Sequence, residues 1–256
     1  MGLLDDKVVL VTGGGSGIGR ATAIAAAREG AAGVVVIDID ESAAAETTTE
    51  IAGFPNVRVL SMRADVADEG DVRRTVETTV EVFGRLNCAV NNAGTSLPPT
   101  RLVDLALEDW TRLININLTS VFLYLRREMT EMANAGGSIV NIASGAGFVG
   151  SVGHGAYIAS KHGVLGLTKC AALEGAPRAI RVNAVCPGRI DTPLLRKGRE
   201  RYEEEWAERS AEVPLGRIAT PNELAEAVVW LCSDRASFVT GESMVVDGGM
   251  YATRSR

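Results

Sequence analysis

The chain has 256 residues, 46% hydrophobic and 23% charged, and a formal net charge of −6. That length suits one open α/β domain with a large core, and the acidic balance argues against nucleic acid or an anionic membrane surface as a partner. With only His154 and His162, and with Cys88, Cys170, Cys186 and Cys232 scattered, no metal site is expected, and the cysteines read as small hydrophobes in a reducing compartment.

Met1-Gly2-Leu3-Leu4-Asp5-Asp6 runs straight into apolar sequence, without the basic start and long apolar run of a secretory signal. Gly2 lacks the downstream hydroxyl that myristoylation needs, and no apolar segment approaches membrane-spanning length. A cytoplasmic protein that does not engage membranes is the expectation.

The first predicted strand, residues 8–11, opens into Thr12-Gly13-Gly14-Gly15-Ser16-Gly17-Ile18-Gly19. Small residues there would let the backbone approach a pyrophosphate, whose charge would rest on the N-terminus of an alanine-rich helix that begins near Gly17 and ends near Gly30. Gly13, Ser16, Gly17, Ile18 and Gly19 are therefore candidate cofactor residues. The string is Gly-x-x-x-Gly-x-Gly, and taken alone it could be a tight turn.

Strand 34–37 follows and ends at Asp38, whose carboxylate would accept hydrogen bonds from ribose hydroxyls and repel a 2′-phosphate, favouring NAD over NADP. Asp38 could instead cap the helix that starts around Glu41, although Asp40 is the better placed cap. After strand 57–62, Asp65 is a candidate for the adenine amino group or a plain loop residue. Val66 beside it is also assigned to the cofactor. A helix with Val72, Val76, Val80 and Phe83 on its apolar face leads to strand 89–90. There Asn91, Ala93 and Gly94 would line the ligand edge of the sheet, with the Asn91 side chain partly structural.

One long helix is expected from about 108 to 132, with Leu118, Val121, Phe122, Leu125, Met129 and Met132 in an apolar stripe. Strand 138–142 leads to Ser144 and to a helix in which Tyr157 and Lys161 lie one turn apart on the same face. That helix is apolar on more than one side. A sheet covers only one side of a helix; both helices could face long loops, but a homo-oligomer is the favoured expectation. Strand 180–185 runs into Cys186-Pro187-Gly188, and helix 222–232 and strand 243–246 close the chain. Apolar strands alternating with helices imply a doubly wound parallel sheet of about seven strands, a Rossmann fold in a single domain spanning 1–256.

The ordered set of residues 12–19, Asp65, residues 91–94, Asn117, Ser144, Tyr157 with Lys161, and Pro187-Gly188 with Thr192 resembles the short-chain dehydrogenase/reductase family over nearly the whole chain. The resemblance implies a catalytic tetrad of Asn117, Ser144, Tyr157 and Lys161. Tyr157 would exchange the substrate proton, Ser144 would hold the substrate oxygen, and Lys161 would bind the nicotinamide ribose and lower the phenol's pKa. Asn117 would hold a water that relays protons. Pro187, Gly188, Ile190 and Thr192 would pass over the nicotinamide.

The implied activity is NAD-dependent interconversion of a secondary alcohol and a ketone, in an assembly such as a homotetramer. Residues 188–216 are expected to form a substrate lid. Leu97, Phe148, Val149, Leu194 and Leu195 would make an apolar lining suited to alicyclic, steroid-like or 3-oxoacyl substrates. Arg189 could meet a carboxylate or point to solvent, and His154 could reach the pocket mouth. Alternatives are an NADP-dependent 3-oxoacyl thioester reductase and a non-catalytic NAD-binding sensor or scaffold.

Overall fold

The computed structural model describes residues 2–196 and 202–252. Its seven strands are β1 (Val8–Thr12), β2 (Gly33–Asp38), β3 (Arg58–Arg63), β4 (Cys88–Asn91), β5 (Gly137–Ile142), β6 (Ile180–Pro187) and β7 (Ser243–Val246). They form one parallel sheet in the order β3-β2-β1-β4-β5-β6-β7. The order reverses direction between β1 and β4, which leaves a crevice at their C-terminal ends.

Alternation along the strands supplies both faces. Val9, Val11, Val34 and Val36 pack with the alanines of α1 (Gly17–Arg28) and with Leu224, Val228 and Leu231 of the later helix Pro221–Cys232. Leu10, Val35 and Ile37 point the other way. They meet α3 (Glu69–Phe83), which follows α2 (Glu41–Ile51), and the helices that carry Tyr124 and Val164. Strands covered on both sides need no polar alternation, which is why their sequences are almost continuously apolar.

The single helix expected over 108–132 is divided. It consists of α4 (Leu107–Ile114), a π-helical turn at Asn115–Thr119, and α5 (Ser120–Glu131), followed by a 3-10 turn at Met132–Asn134. Most of its stripe is core: Val121, Leu125 and Met132 are buried, whereas Phe122 is exposed. The Tyr157 helix is α6 (Gly155–Gly175). The expected lid contains α7 (Pro193–Arg196) and α8 (Tyr202–Ala211), while residues 197–201 lie outside the described residues. Helix α9 is Pro221–Cys232, started by a reciprocal capping box between Thr220 and Glu223. Among the described residues no helix is long and apolar enough to cross a membrane.

Candidate active site

The glycine turn is built on backbone that side chains would obstruct. Gly13 and Gly17 have φ of +61° and +54°, in the left-handed region. A Cβ on Gly19 would lie 2.1 Å from the Gly13 carbonyl oxygen. The Asn92 amide donates to the carbonyls of Thr12 and Gly13 at 2.9 and 3.1 Å. The Thr12 hydroxyl accepts the N–H groups of Asn92 and Ala93 at 3.0 and 3.1 Å. The strand ends of β1 and β4 are thereby stitched together at the crevice. The two amides of Asn91-Asn92 were open to a role in tying neighbouring strands together, and Asn92 takes it; the part of the Thr12 hydroxyl was not foreseen.

Asp38 lies at the end of β2 and accepts the Gly15 N–H at 2.8 Å and the Asp40 N–H at 3.0 Å. It braces the glycine turn rather than capping α2; Asp40 is the cap, accepting from Ser42 and Ala43. Thr192, after β6, reaches the same turn from the other side, its methyl group 3.3 Å from where a Gly17 Cβ would be. Its hydroxyl accepts the Leu195 N–H. Asp65 is exposed and accepts the Ala67 N–H at 2.9 Å, and Val66 is buried. Gly188 follows Pro187 and donates to Val246. Ile190 is buried and bridges to Ala219, so only its backbone remains for a ligand.

The Asn91 side chain turns inward. Its amide donates to Glu128 and to Asn141, both at 3.0 Å, and Asn141 donates on to Thr168. Glu128 is fully buried, and burial pushes its carboxyl up to about 8, against the pull of the Asn91 bond. A carboxyl kept neutral by folding binds more protons in the native state than in the unfolded chain. Its contribution to stability is therefore full below the ordinary value of 4.5 and is lost as pH rises through about 8. Glu128→Gln, uncharged at all pH, should melt several degrees above the unmutated protein at about pH 9 and match it at about pH 5. Thermal unfolding followed by circular dichroism reads this, and parallel pH profiles would refute it.

Asn117 occupies the π turn and is buried. Its side chain accepts the Thr95 N–H at 2.8 Å, donates to the Thr95 carbonyl at 2.9 Å, and donates to Ser160 at 3.4 Å. The turn thus locks the loop after β4 onto α6. Ser144 follows β5, its hydroxyl accepting the Ala146 N–H at 3.1 Å and lying close enough to the Tyr157 phenol to pull its pKa down. Lys161 is buried, donates to the Ile142 carbonyl at 2.9 Å, and lies 5.7 Å from the Tyr157 ring centroid. Burial pushes the Lys161 amine down to about 8. Burial pushes the nearby Cys186 thiol up to about 12, against the pull of the Ser144 backbone.

The lowering of the Tyr157 pKa expected from Lys161 is not what the structure shows. Burial raises it, the Ser144 hydroxyl pulls it down, and the nearby Tyr251 phenol raises it further. The physical reason is desolvation of the phenol, which outweighs the pull of the Ser144 hydroxyl. Tyr251 was not foreseen. A Cβ on Gly145 would lie 1.9 Å from its ring, so residues 247–251 form a wall against the segment that carries Ser144.

A cavity beside the tetrad is lined by Leu97, Pro98, Leu105, Leu113, His154 and Tyr157, among others. Of the residues expected to line the substrate pocket, Leu97 borders this cavity, and Phe148 and Leu194 are exposed. Arg189 pairs with Glu212, just after α8. Among the described residues no cluster of His, Cys, Asp and Glu could hold a metal ion.

A dinucleotide fits these residues. The turn at Gly13–Gly19 leaves a backbone cradle that added Cβ atoms would fill, the α1 N-terminus faces it, and Asp38 stands at its edge. The arrangement can therefore hold a hydride carrier beside a phenol, a hydroxyl and an amine.

The sequence model of the family described as enoyl-(acyl carrier protein) reductase matches residues 13–251. The chain is 44% identical over 245 residues to cyclohexanol dehydrogenase of Acinetobacter sp., covering 95% of this chain and 94% of that one. It is 40% identical over 251 residues to 2,5-dichloro-2,5-cyclohexadiene-1,4-diol dehydrogenase of Sphingobium indicum, covering 97% and 98%. The crystal structure of levodione reductase superposes with a TM-score of 0.94 at 36% identity, covering 97% of this chain and 99% of that one.

Proposed function

From the premise that the chain belongs to the short-chain dehydrogenase/reductase family, we propose that it interconverts alicyclic secondary alcohols and ketones with NAD, using Asn117, Ser144, Tyr157 and Lys161. It is an oxidoreductase acting on CH–OH groups, as its relatives are, and the family uses nicotinamide cofactors. The names of both relatives denote six-membered rings that bear hydroxyl groups, which supports the ring as substrate class.

The observation that carries the catalytic assignment is the convergence of Ser144, Tyr157 and Lys161 at the end of β5, beside Gly94 and across the crevice from the glycine turn. Nicotinamide supplies or takes up the hydride. The amides of the glycine turn and the α1 N-terminus hold the pyrophosphate charge, and Gly13, Ser16, Gly17, Ile18 and Gly19 shape that cradle. Asp38 accepts the ribose hydroxyls, while Asp65 and Val66 flank the adenine. Asn91, Ala93 and Gly94 border the crevice with Pro187, Gly188, Ile190 and Thr192. Ser144 donates to the substrate oxygen as charge develops there. Tyr157 takes the hydroxyl proton in oxidation and returns it in reduction. Lys161 stabilises the phenolate, and the π turn at Asn117 leaves backbone carbonyls to hold a relay water.

The outer sides of α5 and α6 expose Phe122, Cys170 and Leu173. They are read here as the subunit interface of a homotetramer working in the cytoplasm. Residues 188–216 are read as the substrate lid within the single domain.

The test is nicotinamide absorbance with NAD and NADP in parallel, against cyclohexanol, a steroid alcohol and a 3-oxoacyl thioester. NAD-dependent oxidation of cyclohexanol is expected. NADP-dependent thioester reduction alone would favour the reductase alternative, and dinucleotide binding with no turnover would favour a sensor. Asp38→Ala should raise KM for NAD and shift the kcat/KM ratio toward NADP by about tenfold or more, because the carboxylate that repels a 2′-phosphate is gone. An unchanged ratio would remove Asp38 as the discriminator.

A further inference from the structure

We propose that Cys88 and Cys232 are a site of reversible oxidation by peroxide, a dithiol that closes to a disulfide between β4 and α9 and reopens under a thiol reductant. The inference stands apart from the substrate and the hydride chemistry, because the pair lies at the other end of the sheet. Cys88 is the first residue of β4, whose far end at Asn91 borders the crevice, and Cys232 is the last residue of α9.

The way α9 ends holds the two cysteines together. Three successive carbonyls there are met by side chains from three neighbouring strands. The Ser138 hydroxyl on β5 donates to Leu231 at 2.9 Å, the Cys88 thiol to Cys232 at 3.5 Å, and the Arg181 guanidinium on β6 to Ser233 at 3.0 Å. The Cys88 sulfur is thus fixed against the backbone of its partner, and both cysteines are buried. A disulfide needs the two Cα atoms within about 7 Å of each other, and a sulfur in contact with its partner's backbone is the geometry from which it closes. The thiols also act on each other's surroundings. Cys88, with burial, raises the Cys232 thiol well above its ordinary value, while both oppose the lowering that burial imposes on Arg181. Arg181 and Lys7 supply the positive charge that favours a thiolate. Cys186 is buried too, but the groups acting on it are Ser144, Lys161 and Glu242, none of them a cysteine.

The cover over the pair is thin, and peroxide is hardly larger than water. Asp234 and Arg235, in the 3-10 turn that follows α9, are exposed. The Lys7–Asp234 ion pair at 2.9 Å has its carboxylate 88% exposed, and a pair so placed adds little stability. Opening of the α9 end therefore admits the oxidant. One thiolate attacks the peroxide O–O bond and becomes a sulfenic acid, releasing hydroxide, which takes up the proton that this thiol lost. The second sulfur then displaces the sulfenic hydroxyl, which leaves as water with the second thiol's proton. The sulfurs give up two electrons, peroxide accepts them, and the products are one disulfide and two waters. The bridge joins residues 144 apart in sequence, so it takes much conformational freedom from the unfolded chain.

The experiment uses the full chain carrying Cys170→Ser, which removes the exposed thiol and leaves three of the four cysteines. The folded protein is treated with hydrogen peroxide at mildly alkaline pH, and free thiols are then titrated in denaturant, with intact mass and peptide mapping alongside. The expected result is a fall from three thiols to one, a mass smaller by two hydrogens, and a peptide pair joining Cys88 to Cys232. Dithiothreitol should restore all three thiols, and the bridged form should melt about 5–15 °C higher than the reduced one. Retention of three thiols, added oxygen without a bridge, a bridge to Cys186, or a loss that dithiothreitol does not reverse would overturn the proposal. So would a bridge that fails to raise the melting temperature, since it would have formed from distorted chain. Cys88→Ala and Cys232→Ala, each made in the same background, should keep both remaining thiols. Loss of thiols from either would mean indiscriminate oxidation and would equally overturn the assignment.

Discussion

Tyr157→Phe should lower turnover of a ring alcohol by about a hundred- to ten-thousand-fold, the usual worth of a positioned acid–base group, while leaving NADH binding nearly unchanged. The phenylalanine ring keeps the packing at the start of α6 and removes only the oxygen beside Ser144. Burial raises the phenol's pKa and depresses that of Lys161 to about 8. The phenol is therefore a poor base near neutrality, and oxidation by the unmutated enzyme should speed up as pH rises into the alkaline range. Stopped-flow hydride transfer and NADH fluorescence separate the two effects. A variant that retains turnover would end the assignment of Tyr157 as the proton carrier.

Gly19→Ala should weaken dinucleotide binding by about a hundredfold, the scale expected when a site is displaced by an ångström. The new methyl would lie 2.1 Å from the Gly13 carbonyl oxygen and 2.4 Å from the Asn92 amide nitrogen. The first is backbone and cannot swing aside, so the turn must open and Asn92 must release Gly13. Overpacking of this kind also costs about 1–3 kcal/mol of stability. Gly166→Ala is the control: it lies in α6 with nothing within 4 Å of an added Cβ, and alanine favours helix. Fluorescence titration with NADH measures both variants, and equal affinities would refute the cradle.

Features written in contiguous residues were legible in advance. Strand β7 falls on the predicted residues 243–246, and the glycine turn and the Tyr157–Lys161 pair were visible because their spacing is their function. Features that depend on residues meeting across the sheet were not. Nothing near Glu128 signals that Asn91 will reach it from β4. The π turn at Asn117 is compatible with an ordinary amphipathic pattern, so one unbroken helix was the natural expectation. Hydrophobicity does not say where a loop folds, and Phe148 and Leu194 are apolar but exposed.

The wall made by Tyr251 has a consequence for how the molecule comes into being. The strands and glycine turn that cradle a dinucleotide are encoded within residues 8–94, whereas the ring that closes against Gly145 is more than 150 residues downstream. Translation is vectorial, but a single domain folds as a unit. The alanines of α1 and the strands beneath them pack against Leu224, Val228 and Leu231 of α9, so the phosphate cradle, like the substrate wall, is completed only when the last part of the chain has been made. A ribosome stalled just short of residue 247 would carry a nascent chain that still lacks one side of its catalytic chamber.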